Sequence, residues 1–161
     1  MSSTLVHLFR HNRWANRLMM EACRGLSDEQ LDTTVNGTYG TIRDTITHLV
    51  RAESGYAFRL IGGDRIFGRE EPFPGVDRSI EVLEQTGAAL EKVAADLDPK
   101  RIIEIVTDEA TTQIPGFVIL LQAVNHATDH RSHIATILTQ LGHEPPELDL
   151  WSYNEAGLSR A

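Results

Sequence analysis

Three histidines on one predicted helix are the residues of this sequence best placed to do chemistry. His126 and His130 are spaced as i and i+4, and His133 follows three residues later. At about 100° per residue, the three side chains project from a helix within an arc of roughly 60°. Two imidazoles one helical turn apart can bind the same metal ion. The spacing therefore indicates a metal site on this helix.

A third ligand has to come from another element, and His48 is the best candidate. It lies in the middle of a second predicted helix, beside Leu49 and Ala52, at the border of that helix's apolar stripe. A lone histidine in such a position is also commonly a core residue that is hydrogen-bonded to a carbonyl. Spacing alone leaves both interpretations of His48 open.

His7 and His11 are the rival pair, since they too lie one turn apart on a predicted helix. Their neighbours Arg10, Asn12 and Arg13 are polar, which is typical of a solvated helix face. We therefore expect this pair to face solvent rather than a metal ion.

The elements that must position these histidines show a period of 3.6 residues. Apolar residues recur at spacings of three and four, which predicts amphipathic helices over residues 5–22, 42–60, 79–96 and 117–141. Thr41, with Asp44 three residues later, is a good cap for the second of these helices. Asp77 or Ser79 is expected to cap the third.

The connection between the third and fourth predicted helices contains β-branched residues. Residues 102–107 and 111–114 fit either a short hairpin around residues 108–110 or an extended crossover. Four helices joined by connections of very different lengths predict an all-α fold, a four-helix bundle with room for a crossover topology. No repeat or linker divides the sequence, so we expect a single domain over residues 1–161.

The composition limits the partners of this chain. Its 161 residues include 15 basic and 23 acidic ones, for a net charge of −8, and the basic residues are scattered. That balance opposes nucleic-acid binding, which depends on Lys and Arg. The single cysteine cannot form an intramolecular disulfide, and neither a signal-peptide pattern nor a run of 18 apolar residues is present. We expect a cytoplasmic protein that binds neither nucleic acid nor membrane.

Several ordered segments resemble the DinB-like (YfiT-like) family of metal-dependent enzymes. The similar segments are residues 11–16, 26–31, 39–42, 47–53, 125–126, 130–131 and 148–151. The resemblance runs from about Leu5 to Tyr153 and implies a four-helix bundle with up-up-down-down topology, usually a homodimer. It also implies that a divalent metal, zinc or nickel, is held by three residues, His48, His126 and His130.

The resemblance implies a function as well. Characterised members of the family include bacillithiol S-transferases and a mycothiol-dependent isomerase. It therefore implies a metal-dependent enzyme that acts on a small-molecule substrate, either as an S-transferase with a low-molecular-weight thiol or as a hydrolase. The alternative is a non-catalytic metal-binding bundle of a stress or damage response, in keeping with the family's damage-inducible name.

Two histidines depart from the family pattern. His11 stands where the family often has tyrosine, and His133 stands where glutamine or asparagine is common. His133 is then a fourth ligand, a group that supports the ligands, or the partner of His130 in an alternative pair. The i, i+4 spacing of the family favours His126, and the sequence assigns no catalytic side chain.

Overall fold

The computed structural model describes residues 4–106 and 110–160, and helices make up most of them. In chain order the elements are α1 (Thr4–Ala22), α2 (Asp28–Leu31), α3 (Ile42–Ile61), α4 (Val76–Asp96), β1 (Ile102–Val106), β2 (Thr111–Pro115), α5 (Gly116–Gln140), α6 (Leu150–Glu155) and a 3-10 turn (Leu158–Arg160). The predicted all-α fold is confirmed. The four long helices α1, α3, α4 and α5 correspond to the four predicted amphipathic segments.

The four long helices pack into a bundle in which chain neighbours are not always spatial neighbours. Helices α1 and α3 follow one another among the long helices, yet each packs chiefly against α4 and α5. The long α3–α4 and α4–α5 connections make this arrangement possible. The up-up-down-down order of helix directions and the single domain over residues 1–161 stay predictions.

The start of α3 forms as its sequence predicts. The hydroxyl of Thr41 accepts a hydrogen bond from the Asp44 amide at 3.0 Å, and the Asp44 carboxylate accepts one from the Thr41 amide at 3.2 Å. This reciprocal capping box satisfies two amides that a helix leaves without partners. It fixes where α3 begins, and therefore the position of every later residue along the helix axis.

The expected cap of α4 is wrong. The helix begins at Val76, directly after Gly75, and neither Asp77 nor Ser79 caps it. Gly75 has φ 85°, a left-handed conformation that glycine adopts at little cost, so the chain turns into the helix before either candidate is reached. Asp77 instead lies in the first turn, where its charge favours the helix dipole, and the Ser79 hydroxyl donates to the Gly75 carbonyl at 2.8 Å.

Of the two structures left open between α4 and α5, the hairpin forms. Strands β1 and β2 pair antiparallel, with Ile103 opposite Ile114 and Val106 opposite Thr111. Residues 107–109, which include most of the expected turn, lie outside the described residues. The Ile103 side chain is buried, so the hairpin is packed against one end of the bundle.

The buried interior consists of two apolar clusters with polar residues between them. One cluster contains Met19, Ile46 and Ile134, and the other contains Phe9 and Leu120. Four buried polar residues on α1, α3 and α4 fall between these clusters, and Arg131 on α5 is hydrogen-bonded to two of them. We call this group the polar layer; its members are Asn12, Asn16, Glu53, Thr86 and Arg131.

Candidate metal centre

The packing of α3 against α5 brings three of the predicted site residues together. Nε2 of His48, on α3, lies 2.9 Å from Nε2 of His126, on α5. One ring nitrogen of each of His48, His126 and His130 lies within 4.8 Å of the others. The His126 and His130 rings are 4.3 Å apart between centroids, as expected for side chains one turn apart. These three histidines are therefore close enough to hold a metal ion.

The environment keeps the three imidazoles neutral. Burial, reinforced by the nearby His130 and His48, lowers the pKa of His126 to about 4. Burial also lowers the pKa of His130, and it lowers that of His48 together with the positive charge of Arg51. A histidine must be neutral to bind a metal ion, so these residues present the ligand form at neutral pH.

The donor set fits a divalent transition metal. Nδ1 of His126 and Nδ1 of His130 are buried and have no hydrogen-bond partner among the described residues, which is costly for a polar atom. Tetrahedral nitrogen ligands of zinc lie roughly 3.3 Å apart, close to the separation of the His48 and His126 Nε2 atoms. Imidazole ligands suit zinc, nickel, iron and copper alike, so the three histidines fit a divalent transition-metal ion but do not select one metal.

Tyr39 is a member of the site that the sequence reasoning missed. Its hydroxyl lies 3.0 Å from Nδ1 of His48, and the two rings stack at 4.3 Å between centroids. A hydrogen bond on one imidazole nitrogen fixes the orientation of the ring and directs the other nitrogen toward the remaining ligands. Tyr39 lies in the loop before α3, so no helical spacing relates it to His48.

His133 lies next to the three histidines but outside their group. Its ring contacts that of His130 edge-on, with 5.5 Å between centroids, and its Nδ1 is buried without a partner among the described residues. The ligand atoms that lie within 4.8 Å of one another belong to His48, His126 and His130. The structure therefore groups His130 with His126 and not with His133.

The rival pair, expected on a solvated face, is the clearest error of the sequence reasoning. His11 is only 9% exposed, and its Nε2 donates to the carbonyl of Leu148 at 2.7 Å. Its ring packs against Trp14 and Tyr153. The segment around α6 folds back over this face of α1, a contact between residues 137 positions apart that local polarity could not reveal. His7 is half-buried.

The DinB family model matches residues 1–159 of the sequence. The chain belongs to the DinB family. A comparison with curated proteins finds no match. Membership agrees with the helical bundle and with a three-histidine group compatible with metal binding. Among the described helices of this DinB-family protein, none is long and apolar enough to cross a membrane.

The polar layer of this DinB-family protein is built around a buried carboxyl group. Glu53 accepts hydrogen bonds from the Thr86 hydroxyl at 2.6 Å and from the Asn16 amide at 2.9 Å. Burial raises the pKa of Glu53 to about 7, although these hydrogen bonds and the charge of Arg131 act in the opposite direction. The fold therefore favours the protonated form of Glu53 more than solvent does.

Arg131 completes the polar layer from α5. Its guanidinium donates to the side-chain oxygens of Asn12 at 2.8 Å and Asn16 at 2.5 Å, and to the Thr128 hydroxyl at 3.0 Å. Burial lowers its pKa to about 10, which leaves the group charged at neutral pH. Because Arg131 directly follows His130 in the chain, these bonds also restrain the position of His130.

Proposed function

We propose that this DinB-family protein is a metal-dependent enzyme acting on a small molecule, as an S-transferase with a low-molecular-weight thiol or as a hydrolase. The observation that supports it is the convergence of three neutral imidazoles, His48, His126 and His130, from two helices. His48 also lines an open cavity of about 580 Å³, which gives a small molecule access to the group. Three protein ligands are typical of catalytic zinc sites, which keep a position open for substrate.

The three histidines would bind the metal, and no thiol of the chain itself would compete with an incoming thiol for it. A divalent cation held there supplies Lewis acidity that favours the deprotonated form of a thiol or of water. Tyr39 orients His48 through its Nδ1. The chain's single thiol, Cys23, is buried, and burial raises its pKa to about 12, so the reacting thiol has to arrive with a partner molecule. We assign no catalytic side chain.

A non-catalytic metal-binding bundle of a stress or damage response is the second candidate. It is favoured by the composition of the three-histidine group, to which no carboxylate belongs within residues 4–106 and 110–160. Such a carboxylate would be the usual general base of a hydrolase. Two remaining parts of the proposal, the homodimer and damage-inducible expression, rest on the family resemblance, and the cytoplasmic location rests on the single cysteine and the lack of a signal-peptide pattern.

Metal analysis tests the ligand assignment. Protein purified without a histidine tag and loaded with zinc or nickel should hold about one ion per chain, and His130→Ala should hold far less because one of three ligands is gone. His143→Ala is the matched control, since His143 is exposed and its side chain bonds to Gln30 instead. Equal metal content in wild type and His130→Ala would refute the assignment. A matching loss in His133→Gln would add His133 to the ligands.

Turnover separates the enzyme from the binding module. Zinc-loaded wild type is incubated with an alkyl halide electrophile and a panel of low-molecular-weight thiols, and in parallel with ester and amide substrates. The proposal expects metal-dependent formation of an S-conjugate or a hydrolysis product, with neither formed by His130→Ala. Metal binding without any metal-dependent turnover would favour the non-catalytic module.

A further inference from the structure

The cavity that adjoins His48 has an unusual charge for this acidic chain. It lies between α3, the hairpin and the first turns of α5, and it measures about 580 Å³. Four of the chain's 15 basic residues line it, whereas none of the lining residues among the described parts of the chain is acidic. The four are Arg51, Arg59, Arg65 and Arg69.

Two of these guanidinium groups converge on one point of the cavity wall. A Cβ atom placed on Gly55 would lie 3.2 Å from Nη1 of Arg59 and 3.3 Å from Nη1 of Arg65. Burial, together with the charges of Arg69 and Arg59, lowers the pKa of Arg65. Because like charges repel, this convergence is unfavourable unless an anion lies between them. The absence of a side chain at Gly55 leaves space for both groups.

Within residues 4–106 and 110–160, no acidic side chain forms an ion pair with these four arginines. All ion pairs formed among the described residues involve arginines outside the cavity. Arg51 donates to the backbone carbonyl of Glu71 at 2.8 Å, and its Nε is buried without a partner among those residues. The Glu71 carboxylate accepts a hydrogen bond from the amide of Gly68 at 2.6 Å. The arginines therefore keep donors available to a ligand.

Apart from Gln122, the rest of the cavity is largely apolar, and it extends to His48. Ile105, Ile114 and Val118 line one side, and Tyr56 lines another with its ring 5.8 Å from that of His126. His48 and Gly55 lie seven residues apart on the same face of α3, an axial distance of about 10 Å. A ligand roughly eight single bonds long when extended can therefore reach from the arginines to His48.

We propose that this cavity binds a small organic anion, with a carboxylate or phosphate held by Arg59 and Arg65 over Gly55. The isoleucines cover the apolar body of the ligand, and its far end reaches the three histidines. Planar guanidinium groups recognise both oxyanions with paired hydrogen bonds. The inference rests on the proposed function for the chemistry at the far end and adds to it the substrate class, a molecule with an anionic group about 10 Å from the reacting atom.

Calorimetric titration of the metal-free full chain tests the anion site. The probes are hexanoate, hexyl phosphate and the neutral hexanamide, which matches hexanoate in shape. At least one anion should bind roughly tenfold or more tightly than hexanamide, because charge-assisted hydrogen bonds from guanidinium groups are stronger than neutral ones. The comparison of hexanoate with hexyl phosphate identifies which oxyanion the site takes. Arg65→Gln and Arg59→Gln should each remove most of this preference, with Arg65→Lys retaining part of it.

The controls separate this site from the metal centre. Arg78→Gln removes an exposed arginine of α4 that pairs with Glu81 and should leave anion affinity unchanged. Equal binding of hexanoate, hexyl phosphate and hexanamide, or unchanged anion binding in folded Arg65→Gln, would overturn the inference. Because the titration is done without metal, failure of the anion site with normal zinc content leaves the proposed function intact. Anion binding that survives in His130→Ala, together with loss of zinc, is expected.

Discussion

Two polar groups lie inside the same bundle and use their hydrogen-bonding atoms in different ways. In the polar layer, both carboxylate oxygens of Glu53 accept hydrogen bonds, and the Arg131 guanidinium donates to three side-chain oxygens. In the three-histidine group, Nδ1 of His126 and Nδ1 of His130 have no such partner among the described residues. A satisfied network stabilises one packing arrangement, whereas the three-histidine group contains ring nitrogens whose hydrogen-bonding capacity the described residues leave unused.

The largest effect should be a loss of stability when the hydrogen-bonded polar layer is disrupted. Arg131→Met removes the only cation of the polar layer and leaves Asn12 and Asn16 without their donor. We expect the free energy of unfolding to fall by about 3–5 kcal/mol at pH 8, where Glu53 is ionised. Urea denaturation of the metal-free protein, followed by circular dichroism, measures this loss.

The matched control for that substitution is Arg17→Met on α1. Arg17 is half-exposed; it forms an i, i+4 pair with Glu21 and a longer contact of 3.8 Å with Glu84, so its removal should cost only about 1 kcal/mol. The loss in Arg131→Met should also shrink at pH 5, since a protonated Glu53 needs no cation nearby. A loss no greater than that of Arg17→Met would show that the polar layer does not stabilise the bundle.

The second effect concerns the dependence of stability on pH. The folded pKa of Glu53, about 7, lies above the ordinary glutamate value, so the fold favours the protonated form. Its contribution to stability is fully present below about pH 4.5 and is lost as the pH rises through 7, by on the order of 3 kcal/mol. Glu53→Gln keeps the shape and removes the titration.

The measurement is the difference in unfolding free energy between wild type and Glu53→Gln at several pH values. This difference cancels the contributions of other titrating groups that both proteins share. Between pH 4.5 and 7.5, the wild type should lose stability relative to Glu53→Gln. A constant difference across that range would mean that the folded state does not raise the pKa of Glu53.

The smallest effect sharpens the other side of the comparison. Tyr39→Phe removes the hydroxyl that bonds to Nδ1 of His48, and zinc affinity should weaken roughly tenfold because the imidazole is no longer oriented. Tyr39 is 51% exposed, so stability should change by less than about 0.5 kcal/mol. Competition with a chromophoric chelator measures the affinity. In the control Tyr56→Phe, the lost hydroxyl bonds to Gln122 instead, and zinc affinity should not change.

Much of the fold could be predicted because local patterns determine it. The 3.6-residue period identified all four long helices, and the Thr41 and Asp44 capping box located the start of α3 to within a residue. The i, i+4 spacing of His126 and His130 identified half of the candidate site in the same way. In each case the interacting residues lie within one helical turn of each other.

What could not be predicted depends on contacts between distant parts of the chain. The burial of His11 comes from the segment around Leu148, and the role of Tyr39 depends on a loop conformation. Glu53 is a carboxylate among the apolar positions of a helix, and this pattern predicts that it has a buried polar partner. The identity of that partner, Thr86 on another helix, required the packed structure.

Helices whose buried faces are wholly apolar can slide past one another by one turn, about 5.4 Å, and still cover apolar surface. In this bundle such a slip would place Glu53 or Arg131 against aliphatic side chains, at a cost of several kcal/mol. Each of α1, α3, α4 and α5 carries a member of the polar layer, so the layer fixes the axial register of all four helices relative to one another. The same register places His130, one residue from Arg131, opposite His48 across the α3–α5 contact. A slip of α3 by one turn against α5 would therefore also separate His48 from His126 and His130.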